Sequence, residues 1–140
     1  MSTNILVAII SGSVAIIVAA FSYWSAKERE REAEWRKEKL GHYKEFITAL
    51  ASSVGSFGAP EAKKRYAIAF NTVGLFASHE VITRLHEYQE VTRLPAGELD
   101  QETHDSLLSK LVLAIRKDLK LKPKDEVETF KYLLIEPNEK

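Results

Sequence analysis

The fold of this chain is decided near its amino end by one stretch, ILVAIISGSVAIIVAAFSYW, residues 5–24. Twenty helical residues at about 1.5 Å each match the roughly 30 Å hydrocarbon core of a bilayer. The stretch also contains three serines and one glycine. Membrane helices tolerate glycine, and they tolerate serine because its hydroxyl bonds back to a main-chain carbonyl. Tyr23 and Trp24 end the stretch with the aromatic residues typical of a membrane interface. The pattern predicts a transmembrane anchor over residues 1–26.

Two other interpretations fit an apolar segment in this position. A cleaved signal peptide has a basic start and a shorter apolar run, whereas residues 1–4 carry no basic side chain and the run is long. A buried core helix would have to be enclosed on all sides by a soluble part of only about 110 residues. The sequence fits a membrane span better than either.

Charges next to the apolar stretch predict its orientation. Residues 1–26 contain no charged side chain, although the chain as a whole has 20 basic and 20 acidic residues. Basic residues close to one end of a span tend to keep that end in the cytoplasm. We therefore expect a single-pass protein of the cell inner membrane, with its amino terminus outside and its carboxyl-terminal part cytoplasmic. The absence of cysteine agrees with a reducing compartment. The basic residues that follow the apolar stretch, and on which this orientation depends, are Lys27, Arg29, Arg31, Arg36, Lys37 and Lys39.

A strip of small side chains runs along one side of the apolar stretch. Small residues four positions apart let a second membrane helix approach closely, so the strip predicts a homo-oligomer. The alternative is that Ala, Gly and Ser are simply common in membrane helices. The residues of this small-residue strip are Ala8, Ser11, Gly12, Ala15 and Ala19.

Residues 27–40 read as a charged helical connector. Glu32 and Arg36 are four residues apart, a spacing that supports an exposed helix, and nothing in the segment breaks a helix. We therefore expect the span to continue into the cytoplasm as one helix. Trp35 is a large apolar side chain among charges, and it is expected to pack on a neighbouring helix or a second subunit.

Residues 41–140 are expected to form one helical bundle, which makes the chain all-α with about four cytoplasmic helices. Apolar residues at three- and four-residue spacing follow one another in segments separated by residues 53–60 and 93–99. Pro60 suits the first turn of one helix, Ser78 can cap the next, and Asp100 or Thr103 can cap the last, which runs on until Pro123. Residues 125–140 favour a short helix through Val127, Phe130 and Leu134, or alternatively an extended strip packed across the bundle. The apolar positions are Tyr43, Phe46, Ile47, Leu50, Ala51, Val54, Ala62, Tyr66, Ala69, Phe70, Val73, Val81, Ile82, Leu85, Tyr88, Leu107, Leu108, Leu111, Val112, Ile115 and Leu119.

Catalytic motifs are absent from the sequence. There is no cysteine, glycine-rich phosphate loop, serine nucleophile elbow or closely spaced His/Glu motif of a zinc protease. His79 and His86 are seven residues apart on one expected helix, which is a long separation for ligands of one metal ion. We expect no enzyme activity, no cofactor and no metal.

The charges of the bundle are unevenly distributed. Residues 80–105 contain seven acidic and two basic side chains, and residues 110–124 contain six basic and one acidic. The basic cluster has three interpretations: complementing a helix dipole, touching anionic lipid, or binding a phosphate-bearing ligand between subunits. Double-stranded nucleic acid is not an expected partner because the acidic half would oppose it. The candidate ligand-binding residues are Arg116, Lys117, Lys120, Lys63, Lys64 and Arg65.

Three segments carry a resemblance to a loose set of small bacterial proteins. They are WRKEKLGHYKEFITAL at 35–50, FASHEVI at 76–82 and LAIRKDL at 113–119. The resemblance implies one membrane span followed by a helical cytoplasmic domain, and it implies no activity or catalytic residue.

Two functions are consistent with these patterns. The first is a non-enzymatic membrane-anchored interaction module that self-associates and presents its bundle to a cytoplasmic protein partner. The second is a membrane effector of bacterial defence or stress signalling, triggered when a nucleotide or other phosphorylated signal binds the basic cluster. A detergent-stable oligomer would be the mark of the first, and ligand binding that depends on Arg116 and Lys117 would be the mark of the second.

Overall fold

The computed structural model describes residues 2–55, 59–93, 100–122 and 125–135. Its helices are α1 (Thr3–Gly55), α2 (Pro60–Phe76), α3 (His79–Thr92) and α4 (Gln101–Asp118). The expected all-α class is confirmed, and α1 includes the segment that is long and apolar enough to cross a membrane. The chain divides into two compact units, Met1–Lys37 and Glu38–Lys140. The second unit begins three residues before the position expected for the bundle.

The first unit is the amino-terminal part of α1. Its helix passes through the apolar stretch, which includes Gly12, and into the charged connector, which contains no glycine or proline to end it. Lys27 and Glu30 form an ion pair of 2.8 Å on its surface. This pair lies three residues apart, the spacing at which opposite charges support an exposed helix.

The second unit is built from the last part of α1 together with α2, α3 and α4. Each helix contributes apolar side chains three or four residues apart, so that each buries one face. Phe46, Leu85 and Leu111 lie at the centre and are fully buried. The core residues are Tyr43, Phe46, Ala49, Leu50, Ala69, Val73, Val81, Leu85, Tyr88, Leu108, Leu111, Val112, Ala114, Ile115 and Leu119.

The starts of three helices agree with the sequence signals. α2 begins at Pro60, where the missing N–H of proline costs no helical hydrogen bond. The Ser78 hydroxyl accepts a hydrogen bond from the N–H of Val81 and caps α3, and Asp100 accepts one from the N–H of Thr103 and caps α4. Asp100, rather than Thr103, is therefore the cap of α4. Residues 56–58 and 94–99, within the two expected loops, lie outside the described residues.

α4 ends before Pro123, which itself lies outside the described residues. Lys120 has a positive φ of 53°. Its N–H donates to the carbonyl of Lys117, and the N–H of Leu121 donates to the carbonyl of Arg116. These two bonds form a Schellman motif, which satisfies the last carbonyls of a helix and turns the chain away from the helix axis. The termination is therefore made by hydrogen bonds and does not need proline.

The expected short helix at the carboxyl end is wrong for residues 130–135, and the alternating burial of their side chains favours the alternative of an extended strip. Residues 127–129 form a turn, and the six residues after it are not helical. Phe130, Tyr132 and Leu134 pack against the core, whereas Val127 is 61% exposed. A helix would have turned Tyr132 away from the bundle, and an extended chain buries all three alternate side chains. Residues 136–140 lie outside the described residues.

Candidate functional sites in the apolar segment and the bundle

The apolar segment of α1 is exposed along its whole length within the chain. Ile9, Ile16 and Phe21 are 53%, 71% and 66% exposed, and none of the most apolar window is buried. The hydroxyl of Ser13 donates to the carbonyl of Ile9 at 2.8 Å, so this polar group is satisfied inside the helix. The segment thus offers a continuous apolar surface to its surroundings.

The small-residue strip is also exposed. All five of its residues are accessible, and among the described residues a Cβ placed on Gly12 would have no contact within 4 Å beyond the backbone of its own helix. Trp35, in the charged connector, is 49% exposed. The role of these residues in contacts between copies stays a prediction.

In the bundle, a largely buried carboxylate, that of Asp118, joins the end of α4 to α1. Asp118 accepts hydrogen bonds from the Lys39 ammonium group at 3.0 and 3.1 Å and from the Tyr43 hydroxyl at 2.6 Å. The side chains of Lys39 and Asp118 are only 12% and 9% exposed. Charged hydrogen bonds shielded from water are stronger than exposed ones, so this cluster fixes one helix against the other.

Sequence reasoning missed this cluster because Asp118 was counted only as the single acid of a basic segment. One local signal pointed to it. A carboxylate in the last turn of a helix is disfavoured by the helix dipole, and its presence there calls for a compensating partner.

Burial changes the acidity of three tyrosines. Burial raises the pKa of Tyr43, and the hydrogen bond to Asp118 raises it further. Burial also raises the pKa of Tyr88, with smaller contributions from Tyr66 and Asp105, and burial raises the pKa of Tyr66 to about 12. These phenols hold their protons more tightly in the folded bundle than in the unfolded chain.

The raised pKa values predict loss of stability at alkaline pH. A group with a raised folded pKa contributes its full stabilisation below its unfolded pKa and loses it as the pH rises toward the folded value. For tyrosine this loss starts at about pH 10, and each group then lowers the free energy of unfolding by about 1.4 kcal/mol per pH unit. We expect urea unfolding of the protein in detergent to give a lower midpoint at pH 11 than at pH 9. Tyr66→Phe should reduce that difference, and an equal midpoint at both pH values would contradict the prediction.

A second polar chain links α3 to α4. The Tyr88 hydroxyl lies 2.9 Å from His104 Nε2, and Nδ1 of the same histidine lies 3.2 Å from Asp105. Tyr88 is fully buried. A buried hydroxyl has no route to a substrate, so the chain acts as a connection between helices.

Three of the six candidate ligand-binding cations form ion pairs with carboxylates of the bundle. The Arg65 guanidinium binds Glu45 at 2.7 and 3.1 Å, the Lys117 ammonium binds Glu80 at 3.2 Å, and Arg116 binds both carboxylate oxygens of Asp125. These pairs attach different neighbouring segments: α1 to α2, α3 to α4, and α4 to the chain after it. A phosphate at any of these three cations would compete with the carboxylate already bound there.

The remaining three candidate cations are lysines on the surface. Lys63, Lys64 and Lys120 are exposed. Lys64 lines a groove of about 360 Å³ between α1 and α2, where Glu45, Glu61 and Arg65 also lie. Acidic and basic groups both border this groove, and the binding of a ligand there stays a prediction.

A larger groove of about 560 Å³ lies between α4 and the carboxyl-terminal segment. Its α4 side carries Glu102, Asp105 and Lys110, and its other side carries Val127 and Leu133. Ser109 lies in the same groove and bonds to the main chain of the segment.

The histidines are placed apart from one another. The ring of His86 stacks on Phe70 with centroids 6.4 Å apart, and the ring of His42 lies 5.0 Å from that of Phe76. In the described part of the chain, no three His, Asp or Glu side chains are grouped as metal ligands.

The chain matches no protein-family model, no curated protein and no solved structure.

Proposed function

We propose that this protein is a membrane-anchored, self-associating helical interaction protein without catalytic activity. The apolar segment of α1 crosses the bacterial inner membrane once, and the bundle lies in the cytoplasm, where it contacts a protein partner. The observation that carries the proposal is the complete exposure of twenty consecutive uncharged residues on a continuous helix.

Exposure of this segment to water would be costly. Each large apolar side chain stabilises the protein by about 1.5–3 kcal/mol when it is moved from water into an apolar surrounding. The described core of the bundle is made from residues after Glu38. Lipid is an apolar surrounding of matching thickness for a helix of this length.

Sidedness is supported by the charges that follow the segment. Lys27, Arg29 and Arg31 come within seven residues of Trp24, and basic residues in this position are retained on the cytoplasmic side. The acidic residues among them contribute little to orientation.

Self-association is supported by the small-residue strip and by the exposure of the apolar segment along its described length. Helices in lipid associate by close packing of small residues, since lipid already satisfies their apolar side chains. Arg65, Lys117 and Arg116 of the bundle are already paired with carboxylates, which argues against a dedicated site for one small anion.

Cysteine labelling tests the proposed orientation of the protein in the membrane. The chain contains no cysteine, so each engineered thiol reports on one position. We expect Ser2→Cys to react with a membrane-impermeant maleimide in intact spheroplasts, and Thr83→Cys on α3 to react only after the membrane is permeabilised. The opposite pattern would overturn the proposed sidedness.

The anchoring and the self-association need a test of their own. The full-length protein should stay in the membrane pellet after a carbonate wash. In lipid nanodiscs its mass should correspond to two or more chains. Recovery of the intact protein in the aqueous fraction without detergent would overturn the anchoring. A single-chain mass in native lipid would overturn the self-association.

A further inference from the structure

Main-chain hydrogen bonding defines the geometry of the segment formed by residues 130–135, named here the carboxyl-terminal strip. The N–H of Tyr132 donates to the Ser109 hydroxyl oxygen at 2.9 Å, and that hydroxyl lies 3.2 Å from the carbonyl oxygen of Tyr132. In extended chain, the N–H and C=O of one residue point to the same edge, and those of the next residue point to the opposite edge. The serine therefore covers one edge of the strip.

The other edge of the strip is open. The N–H and C=O groups of Lys131 and Leu133 point away from Ser109 by this alternation. Within the ranges given under Overall fold, these groups have no hydrogen-bond partner. Leu133 and Ile135 also project outward, 64% and 85% exposed, while Phe130, Tyr132 and Leu134 cover the core. An extended edge with apolar neighbours is a template for pairing with another extended chain.

We propose that this open edge pairs in antiparallel fashion with the same strip of a second copy, with Leu133 opposite Leu133 of that copy. The pairing rests on the proposed self-association of the protein in the membrane, and it adds a contact between bundles to the contact between spans.

The charge of the strip favours a second copy in this arrangement. Lys131 is the only charged residue in 130–135. An antiparallel pair centred on Leu133 places Lys131 beside Ile135 of the second copy, whereas parallel pairing in register places two lysines side by side, which is unfavourable. Antiparallel pairing also uses the same edge in both copies, so the contact closes as a two-fold dimer and leaves no free edge for a third chain.

Anchoring in one bilayer supports the same choice of occupant. Copies held in a membrane by identical spans meet at a high effective concentration, which favours a contact too weak to form between free bundles. The groove beside α4 is a poorer place for an added strand, because Ser109 already occupies that edge at Tyr132.

Disulfide trapping in native membranes tests the pairing. Directly opposite residues in an antiparallel hydrogen-bonded pair have Cα atoms about 5.5 Å apart, within the range of a disulfide. After mild oxidation we expect the full-length Leu133→Cys protein to give roughly tenfold more covalent dimer than Leu75→Cys. Leu75 is the matched control because it is an exposed leucine, 86% accessible, on the surface of α2.

The register is tested by mixing two variants in one membrane. Lys131→Cys and Ile135→Cys copies should cross-link to each other when they are expressed together, because these positions are opposite in the proposed pair. Lys131→Cys alone should give only the background of Leu75→Cys. Efficient cross-linking of Lys131→Cys to itself would overturn the antiparallel register.

Three further outcomes would also overturn the inference. The first is that Leu133→Cys cross-links no more than Leu75→Cys in a protein that still has an oligomeric mass in nanodiscs. This result would contradict the strip pairing but not the proposed function. A single-chain mass in the same nanodiscs removes both. A cross-link from Leu133→Cys to a protein of different mass assigns the edge to another partner and removes the second copy.

Discussion

The double substitution Val14→Arg, Ile17→Arg should move the protein from the membrane pellet to the soluble or degraded fraction. Both side chains lie in the middle of the apolar segment and are 54% and 66% exposed. One arginine at the centre of a membrane helix costs about 2.5–3.5 kcal/mol on insertion, so two cost about 5 kcal/mol or more. Fractionation with a carbonate wash, followed by immunoblotting, measures the effect.

The matched control for this prediction is Val14→Leu, Ile17→Leu, which changes the same positions and keeps them apolar. This control should remain entirely in the pellet. If the arginine variant pellets as efficiently as the leucine variant and the wash does not extract it, lipid is not the surrounding of the apolar segment.

Replacing Asp118 with alanine should lower the free energy of unfolding of the bundle by about 3–5 kcal/mol, the cost of removing one member of a buried ion pair. The substitution takes the shared acceptor from the Lys39 ammonium group and the Tyr43 hydroxyl, both of which hydrogen-bond to it in a protected place. Urea unfolding in detergent, followed by near-ultraviolet circular dichroism of the buried tyrosines, measures the loss.

Two comparisons separate the buried pair from a general effect of losing a carboxylate. Asp125→Ala removes the partner of Arg116 at a more accessible place and should cost less than Asp118→Ala. The double variant Lys39→Met, Asp118→Leu removes both charges and should recover part of the stability, since apolar side chains can replace a buried ion pair. Equal losses in the free energy of unfolding for Asp118→Ala and Asp125→Ala would show that the Asp118 cluster stabilises the bundle no more than the more accessible pair does.

Helix positions in the bundle were predictable because their signals are local. The three- and four-residue spacing of apolar side chains marks the buried faces, and Pro60, Ser78 and Asp100 mark the starts of helices. The continuation of α1 through the charged connector followed from the absence of a helix breaker there. Each of these features is set within one or two turns of the chain.

The carboxyl-terminal strip was harder to predict because a short apolar run has no decisive period. Phe130 and Leu134 are four residues apart, which fits a helix, and together with Tyr132 they also fit an alternating strand. The choice depends on Ser109, which lies 23 residues earlier and bonds to the main chain of Tyr132. No local rule reveals such a contact.

The pairing partners in the polar clusters could not be predicted from the sequence for a similar reason. The basic residues of α4 were visible as a charge imbalance, but their partners Glu80 and Asp125 come from other segments. Pairing between distant residues depends on how the helices pack, which composition and spacing do not specify.

The bond between Tyr43 and Asp118 has a consequence for how the protein is made. These residues are 75 positions apart in the chain. A ribosome adds about 5–20 residues per second, so roughly 4–15 s pass between synthesis of the two. Throughout that interval the core cluster to which Phe46 and Leu50 belong lacks its α4 members. The newly made chain therefore cannot complete the core of its bundle until translation reaches α4.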